Sequence, residues 1–274
     1  MSESVSAPVP PVLAVESLSI GGSSAPPIVQ ELSFEIRDGE VLGIVGESGS
    51  GKTLTAYAIA GLLPMGLAMT KGRIRLQGRA LETLTPTERR SLAGSRIGVV
   101  FQDPLSSFNP VRTIGSMLVE SGVRHRRLSE ASARKEAIAA LTAVRLADAG
   151  SLIDAYPHQL SGGQRQRAML ALACFNGPAL LIADEPTTAL DPTVQLQILA
   201  LLKARVASSA MMLITHDLSV AAAMCDRILV MQRGQCVEQG TTRDILENPQ
   251  HPYTQSLLAA VQSLAGNDNE VSAA

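Results

Sequence analysis

The sequence carries little net charge and few cysteines, and both shortages exclude classes of protein. Its 274 residues contain 23 Lys and Arg against 25 Asp and Glu, which gives a formal charge of −2 with both signs dispersed. No basic face for a nucleic acid is indicated. Cys174, Cys225 and Cys236 lack a Cys-x-x-Cys spacing and are odd in number. This pattern favours reduced thiols over a zinc site or a disulfide framework.

Neither a signal peptide nor an unbroken membrane-spanning segment is expected from the sequence. Residues 1–11 have no positively charged start or apolar centre, and we expect a disordered arm there. The uncharged stretch 54–70 contains Gly61 and Pro64, and the stretch 168–183 contains the sequence Asn-Gly-Pro at 176–178. Both are expected to form buried helices and strands. Any association with a membrane would then pass through a partner protein.

Hydrophobic patterns predict an α/β fold in a single domain without internal repeats. Alternating residues at 12–20 and 29–36 predict a small antiparallel sheet. Apolar runs predict further strands at 40–45, 97–101, 179–183, 211–215 and 227–231. Helical sequences separate several of these runs, which favours a mostly parallel sheet covered on both faces. Residues 104–156 are rich in Ala, Arg, Glu and Leu and are interpreted as an inserted helical subdomain.

A glycine-rich segment follows the strand at 40–45 and precedes a helical sequence at 53–63. It consists of Gly46, Glu47, Ser48, Gly49, Ser50, Gly51, Lys52 and Thr53. Glycines let backbone NH groups approach a triphosphate closely, and the helix N-terminus adds positive potential. Lys52 is expected to reach the β- and γ-phosphates, and the Thr53 hydroxyl to bind Mg²⁺.

Further polar residues follow in a fixed order: Gln102, Ser161-Gly162-Gly163-Gln164, Asp184-Glu185, Asp191 and His216. Asp184 ends a buried apolar strand, where a carboxylate is costly unless it meets a cation. A magnesium-linked role removes that cost. Ser161 caps a predicted helix and forms, with the two glycines, a second candidate anion site.

This ordered set of motifs resembles the ATP-binding-cassette (ABC) family. The resemblance implies ATP and Mg²⁺, with Thr53, Gln102 and Asp184 at the metal. It implies a catalytic set of Glu185 as general base, His216 near the γ-phosphate, Gln102 and Lys52. In that family the segment 161–164 completes the ATP site of an opposing cassette, and Asp191 lies near the same interface. The chain is therefore expected to work as a dimer of cassettes.

The resemblance also implies a fold and its divisions. We expect a P-loop NTPase of ABC ATPase type, with a RecA-like core, an antiparallel β subdomain and an inserted α-helical subdomain. Its single domain would span residues 12–264. The expected parts are 12–102 and 177–240 (core with β subdomain), 103–176 (helical subdomain with the signature helix), 241–264 (C-terminal segment) and 265–274 (disordered tail).

Several sequence motifs resemble those of the cassettes of dipeptide, oligopeptide and nickel importers. The most discriminating is Asn248-Pro249-Gln250-His251-Pro252-Tyr253-Thr254. The implied partners are a second cassette, in a heterodimer or a homodimer, two membrane-spanning permease subunits and an extracytoplasmic solute-binding protein. The implied location is peripheral, on the cytoplasmic face of the inner membrane. Peptide and nickel chelate both remain open as cargo. Residues 103–110 are expected to transmit the nucleotide state to the permeases, and Phe108 and Asn109 are the residues expected to matter most for this coupling.

Two alternatives and one departure from the family remain. A soluble ABC ATPase of the iron–sulfur-assembly type has a similar length, and a nucleotide-binding regulator without turnover conflicts with the presence of Glu185 and His216. The aromatic residue that usually stacks on adenine is absent near Ile20. Ile20 is expected to offer only an apolar contact to the base.

Overall fold

Two β-sheets and a group of helices form the described part of the chain. The structure is a computed structural model and describes residues 10–22, 25–188, 190–206 and 209–260. The strands there are β1 (Leu13–Gly21), β2 (Val29–Ile36), β3 (Val41–Gly46), β4 (Ala68–Leu76), β5 (Arg79–Ala80), β6 (Ile97–Val100), β7 (Leu180–Asp184), β8 (Ala210–Ile214), β9 (Arg227–Gln232) and β10 (Gln235–Thr241). The expected tail at 265–274, and the expected arm at 1–11 apart from its last two residues, lie outside the described residues.

Helices connect and cover these strands. They are α1 (Lys52–Ala60), α2 (Pro86–Leu92), α3 (Pro104–Ser107), α4 (Ile114–Arg126), α5 (Glu130–Ala143), α6 (Ala149–Leu152), α7 (Gly162–Cys174), α8 (Pro192–Val206), α9 (Leu218–Met224) and α10 (Thr242–Glu247). Residues 252–260 are also helical and are named here the C-terminal helix. None of the helices in the described ranges combines the length and the apolar composition needed to cross a bilayer.

The larger sheet has the strand order β10-β9-β3-β8-β7-β6, and all of its pairs are parallel except β10 with β9. Successive side chains point to opposite faces. Leu181 and Ala183 therefore join the hydrophobic cluster on the side of the helical insert, whereas Leu180 and Ile182 join the cluster under the small sheet. Strands β3, β7 and β8 are buried throughout. The mostly parallel sheet covered on both faces is confirmed.

The smaller sheet is antiparallel, with the order β2-β1-β4-β5. The pairing of β1 with β2 agrees with the antiparallel pair expected from the alternating sequence. Strands β4 and β5 were not expected. Alternation in β4 takes the form Arg73-Ile74-Arg75-Leu76, in which Ile74 and Leu76 are buried and the arginines are exposed.

The segment between β6 and β7 is helical. Residues 101–179, all of them described, contain α3 to α7 and no strand. Thr113 and Ser129 begin α4 and α5 by accepting the backbone NH groups of Ser116 and Ser132, both at 3.2 Å. This insertion places Gln102 at one end of the helical segment and the 161–164 segment near the other. The α/β class with an inserted helical subdomain is thus confirmed, while the boundary residues given for each part stay a prediction.

Candidate functional site

Residues 46–51 form a tight loop between β3 and α1. Gly46, Gly49 and Gly51 have positive φ angles of 150°, 81° and 98°. A Cβ atom on Gly46 would lie 2.0 Å from the carbonyl oxygen of Met231, and one on Gly51 would lie 2.6 Å from Cγ2 of Val29. Only glycine fits these two positions, because the loop presses against β9 and β2. The strand, loop and helix order expected around the motif is present.

Lys52 is buried at the start of α1, with 6% of its surface exposed. Its Nζ donates to the carbonyl oxygens of Gly46 at 2.8 Å and Glu47 at 2.7 Å, and to Oγ of Ser50 at 3.4 Å. Burial lowers the pKa of Lys52, although the charges of Glu185, Asp184 and Glu47 act in the opposite direction. The three hydrogen-bond partners of the ammonium are neutral oxygens. A phosphate bound beside it would supply the negative charge that these oxygens lack.

Asp184 ends β7 and is 1% exposed. Burial raises the pKa of Asp184 to about 6, and the nearby Glu185 charge also raises it, while the Thr53 hydrogen bond and the Lys52 charge lower it. Oγ1 of Thr53 donates to Oδ1 of Asp184 at 3.2 Å. A hydroxyl and a carboxylate at this distance are oxygen donors of the kind that Mg²⁺ prefers. This pair fits a magnesium ion, and Gln102, which lines the same cavity as Thr53, carries an amide oxygen of the same kind.

Glu185 follows Asp184 in the left-handed backbone region, with φ 44°. The resulting bend directs its carboxylate toward three partners. Nε2 of Gln102 donates to Oε2 at 3.1 Å, Oγ1 of Thr188 donates to Oε2 at 2.9 Å, and Nδ1 of His216 lies 3.1 Å from Oε1. Gln102, Glu185 and His216 follow β6, β7 and β8, whose carboxyl ends meet at one edge of the sheet. Strained backbone of this kind is frequent at functional sites.

A cavity of about 200 Å³ opens in front of the loop. Its lining residues are Ser48, Gly49, Gly51, Lys52, Thr53, Leu54, Gln102 and Glu185. The structure therefore brings residues of the phosphate loop and three of the expected catalytic residues, Lys52, Gln102 and Glu185, around one space. Asp184 reaches the same space through Thr53. The roles assigned to these residues stay predictions.

The segment 161–164 lies elsewhere, at the start of α7, and does not line this cavity. Ser161 and Gln164 form a capping box in which Gln164 N donates to Ser161 Oγ at 3.3 Å and Ser161 N donates to Gln164 Oε1 at 2.8 Å. Asp191 caps α8 by accepting the NH groups of Thr193 and Val194 at 3.1 and 3.0 Å. The second candidate anion site thus lies outside the cavity in front of the chain's own phosphate loop.

Two contacts were not expected from the sequence. Thr188 binds Glu185, and its place three residues after Glu185 in the Asp-Glu-Pro-Thr-Thr phrase could have indicated it. The hydroxyl oxygen of Tyr253 accepts the backbone NH of Glu47 at 2.8 Å, across 206 residues of sequence. No local pattern indicates that contact.

The contact expected of Ile20 is not available. Ile20 is fully buried in the cluster between the small sheet and the core, where it pairs with Val29 and Met69. Its side chain has no exposed surface to offer a base. Ile28, which is 41% exposed and belongs to the turn before β2, is a more accessible apolar side chain in this part of the chain.

Comparison with known proteins gives consistent matches. A sequence profile of the family described as ABC transporter matches residues 29–188. A second profile, described as oligopeptide/dipeptide transporter, C-terminal region, matches residues 237–273.

Individual proteins match over most of the chain. The dipeptide transport ATP-binding protein DppD of Bacillus subtilis is 44% identical over 266 residues, covering 95% of this chain and 79% of that protein. The oligopeptide transport ATP-binding protein OppD of Salmonella typhimurium is 45% identical over 249 residues, covering 89% and 73%. The solved dimeric structure of a bacterial ABC transporter cassette has a TM-score of 0.75 and 27% identity, covering 84% of this chain and 99% of that one. The P-loop ABC ATPase type of fold is confirmed.

Proposed function

This chain belongs to the ABC transporter family, among the ATP-binding subunits of the dipeptide and oligopeptide importer group, and from that premise we propose that it energises peptide uptake. It is an ATPase and an importer subunit. The choice of peptide over nickel chelate is supported by the C-terminal match at 237–273 and by the names of the related proteins.

The geometry of the cavity supports a separate role for each of its polar residues in ATP hydrolysis. Lys52 and the loop NH groups would bind the β- and γ-phosphates. Thr53, Gln102 and Asp184 would hold Mg²⁺, which neutralises charge on phosphate oxygens. Glu185 would accept a proton from the attacking water, since its carboxylate is oriented by Gln102, Thr188 and His216. The single observation that carries this proposal is the convergence of Lys52, Thr53, Gln102 and Glu185 on the cavity in front of the phosphate loop.

A dimer of cassettes is proposed because the 161–164 segment is preformed yet lies outside the cavity of its own chain. In a dimer each segment would face the phosphates held by the other cassette. The dimeric state of the related solved cassette supports this arrangement. The partner cassette would be a different but related chain, with a homodimer as the other possibility.

An apolar groove supports coupling to permease subunits. It measures about 280 Å³ and lies between the core and the helical insert, with Leu62, Val99, Phe101, Phe108 and Leu172 among its lining residues. The groove adjoins Gln102, so a cytoplasmic helix of a permease seated in it would be next to the nucleotide site. The complex would lie at the cytoplasmic face of the inner membrane, with an extracytoplasmic binding protein on the other side.

The proposal is tested by purification of the natural complex. The chain is expressed with its neighbouring genes, and the complex is isolated from detergent-solubilised membranes. Two permease subunits and a second cassette should co-purify, and the associated binding protein should retain peptides. Retention of a nickel chelate by the binding protein would overturn the proposal that the cargo is a peptide. Recovery in a soluble complex would instead favour the iron–sulfur-assembly type of ABC ATPase and overturn the transport function.

A further inference from the structure

One peptide group of the phosphate loop is held from both sides. The carbonyl oxygen of Gly46 accepts Nζ of Lys52 at 2.8 Å, and the NH of Glu47 donates to the hydroxyl oxygen of Tyr253 at 2.8 Å. These two atoms belong to the same planar unit, because the Gly46 carbonyl and the Glu47 NH share one peptide bond. Fixing the direction of the NH therefore fixes the direction of the carbonyl that holds the lysine.

Tyr253 is itself held by the segment around it. The carboxylate of Glu238 accepts the backbone NH groups of Gln250 at 2.7 Å and His251 at 3.1 Å. Nδ1 of His251 then accepts the NH of Tyr253 at 3.2 Å. These bonds fix the chain where it enters the C-terminal helix, so the position of the phenol ring does not depend on a nucleotide.

Hydrophobic packing completes the support. Tyr253, Leu257 and Leu258 lie on one side of the C-terminal helix and pack against the larger hydrophobic cluster. Burial raises the pKa of Tyr253, although its hydrogen bond with Glu47 acts in the opposite direction. The phenol is therefore protonated at neutral pH and accepts the Glu47 NH as a neutral hydroxyl. Glu238 lies on β10, which pairs with β9, the strand that also contacts Gly46.

We propose that Tyr253 is a positioning residue for ATP binding, which acts by fixing the Gly46–Glu47 peptide and, through it, Lys52. This inference rests on the proposed function, because it takes the loop at 46–53 as the site of the ATP phosphates. A loop that is already ordered loses less conformational freedom when the phosphates bind. The fixed direction of the Gly46 carbonyl also holds the ammonium of Lys52 beside the cavity before ATP arrives.

The test compares Tyr253→Phe with the unchanged full chain. The variant keeps the ring and its packing but removes the hydroxyl. Loss of one hydrogen bond should raise the Kd and KM for ATP about two- to tenfold. The kcat should stay within about twofold, since the loop orders the phosphates equally in the ground and transition states. Tyr156→Phe is the matched control, because Tyr156 lies on the helical insert and stacks on His158, and it should leave both constants unchanged.

A double-mutant cycle with Lys52→Ala examines the route of the effect. If Tyr253 acts through the Gly46 carbonyl, Tyr253→Phe should weaken ATP binding much less in the Lys52→Ala background. An equal loss in both backgrounds would overturn the inference, as would an unchanged Kd and KM in the single variant. Neither result affects the ATP-hydrolysing role on which this inference rests, because that role fails only if the unchanged chain neither binds nor hydrolyses ATP.

Discussion

The chain contains two glycine-containing segments that lead into helices, the phosphate loop at 46–53 and the segment at 161–164, and the surrounding structure uses their glycines differently. A Cβ on Gly46 would collide with the Met231 carbonyl oxygen, and one on Gly51 with the Val29 side chain. A Cβ on Gly162 would meet no atom of another described segment within 4 Å, although one on Gly163 would lie 3.0 Å from Cγ1 of Val194. The fold therefore requires glycine at Gly46 and Gly51, whereas at Gly162 nothing in the described part of the chain does.

The polar groups of the two segments differ in the same way. Lys52 is buried, and its ammonium donates to the carbonyl oxygens of Gly46 and Glu47. It lines a cavity that Gln102 and Glu185 of the same chain also line. Ser161 is exposed, and its side chain only caps its own helix. The first segment thus faces a cavity lined by residues of its own chain. The second segment is an ordered and exposed helix N-terminus. Such a surface suits contact with the phosphates of ATP bound to another cassette.

The largest effect should come from Lys52→Ala. The variant removes the cation that faces the phosphates and leaves the Gly46 and Glu47 carbonyls without their donor. We expect ATP turnover to fall about 10³-fold, and ATP binding to weaken measurably in titration calorimetry. Lys135→Ala, on the exposed face of α5, is the control and should retain full turnover. Normal turnover by Lys52→Ala would show that the first segment is not the phosphate loop.

Glu185→Gln should have the next largest effect. The amide keeps the size of the side chain but cannot accept a proton, so turnover should fall by about 10²-fold or more. ATP affinity should stay close to that of the unchanged chain. ATP-bound cassette dimers should therefore accumulate, which size-exclusion chromatography with ATP can measure. Glu247→Gln, at the exposed end of α10, is the control. Equal losses of turnover and ATP affinity would contradict the role of Glu185 as a base.

Much of this comparison could be predicted from the sequence, because it depends on local patterns and on one rule of parallel sheets. The strand before Gly46 and the helix after it follow from apolar periodicity and glycine spacing. Gln102, Glu185 and His216 each follow a predicted strand, and the carboxyl ends of parallel strands meet at one edge. Their place at one edge follows from this rule, whereas their direct contact also depends on β6, β7 and β8 being neighbours in the sheet.

Other contacts could not be predicted, since they depend on packing between distant segments. Tyr253 reaches Glu47 only because Glu238 on β10 fixes the start of the C-terminal helix. The role of Phe108 in coupling stays a prediction, but Phe108 is 5% exposed and belongs to the larger hydrophobic cluster. Its substitution would disturb the helical insert itself. Burial of Ile20 likewise depends on β4, whose sequence was not recognised as a strand.

Gly162→Asp is expected to have a smaller effect that distinguishes the two segments directly. Asp is accommodated in open space at the first turn of α7, where a carboxylate favours the helix. The same charge would repel phosphates from an opposing cassette. We expect turnover to fall about tenfold, with the thermal midpoint and the ATP affinity of the isolated chain unchanged.

The matched control is Gly150→Asp, at another open glycine in the first turn of a helix, and it should keep normal turnover. If Gly162→Asp also kept normal turnover, the 161–164 segment would not face phosphates, and the inferred difference between the segments would fail. Loss of ATP affinity in the monomeric chain would also contradict this difference, because the 161–164 segment would then contribute to ATP binding at the phosphate loop of its own chain.

Leu62→Asp should have the smallest effect on ATP chemistry, because it changes a surface that belongs to neither segment. Leu62 lines the apolar groove, is 43% exposed and follows α1, so the fold should accept a charge there. Turnover by the isolated chain should remain within about twofold. A buried carboxylate would oppose an apolar permease helix, so co-purification with permease subunits should decrease, while Leu62→Met should retain it. Reduced turnover in the isolated Leu62→Asp chain would mean that the groove supports the nucleotide site itself. The comparison of the 46–53 and 161–164 segments would then have to include the groove as a third region.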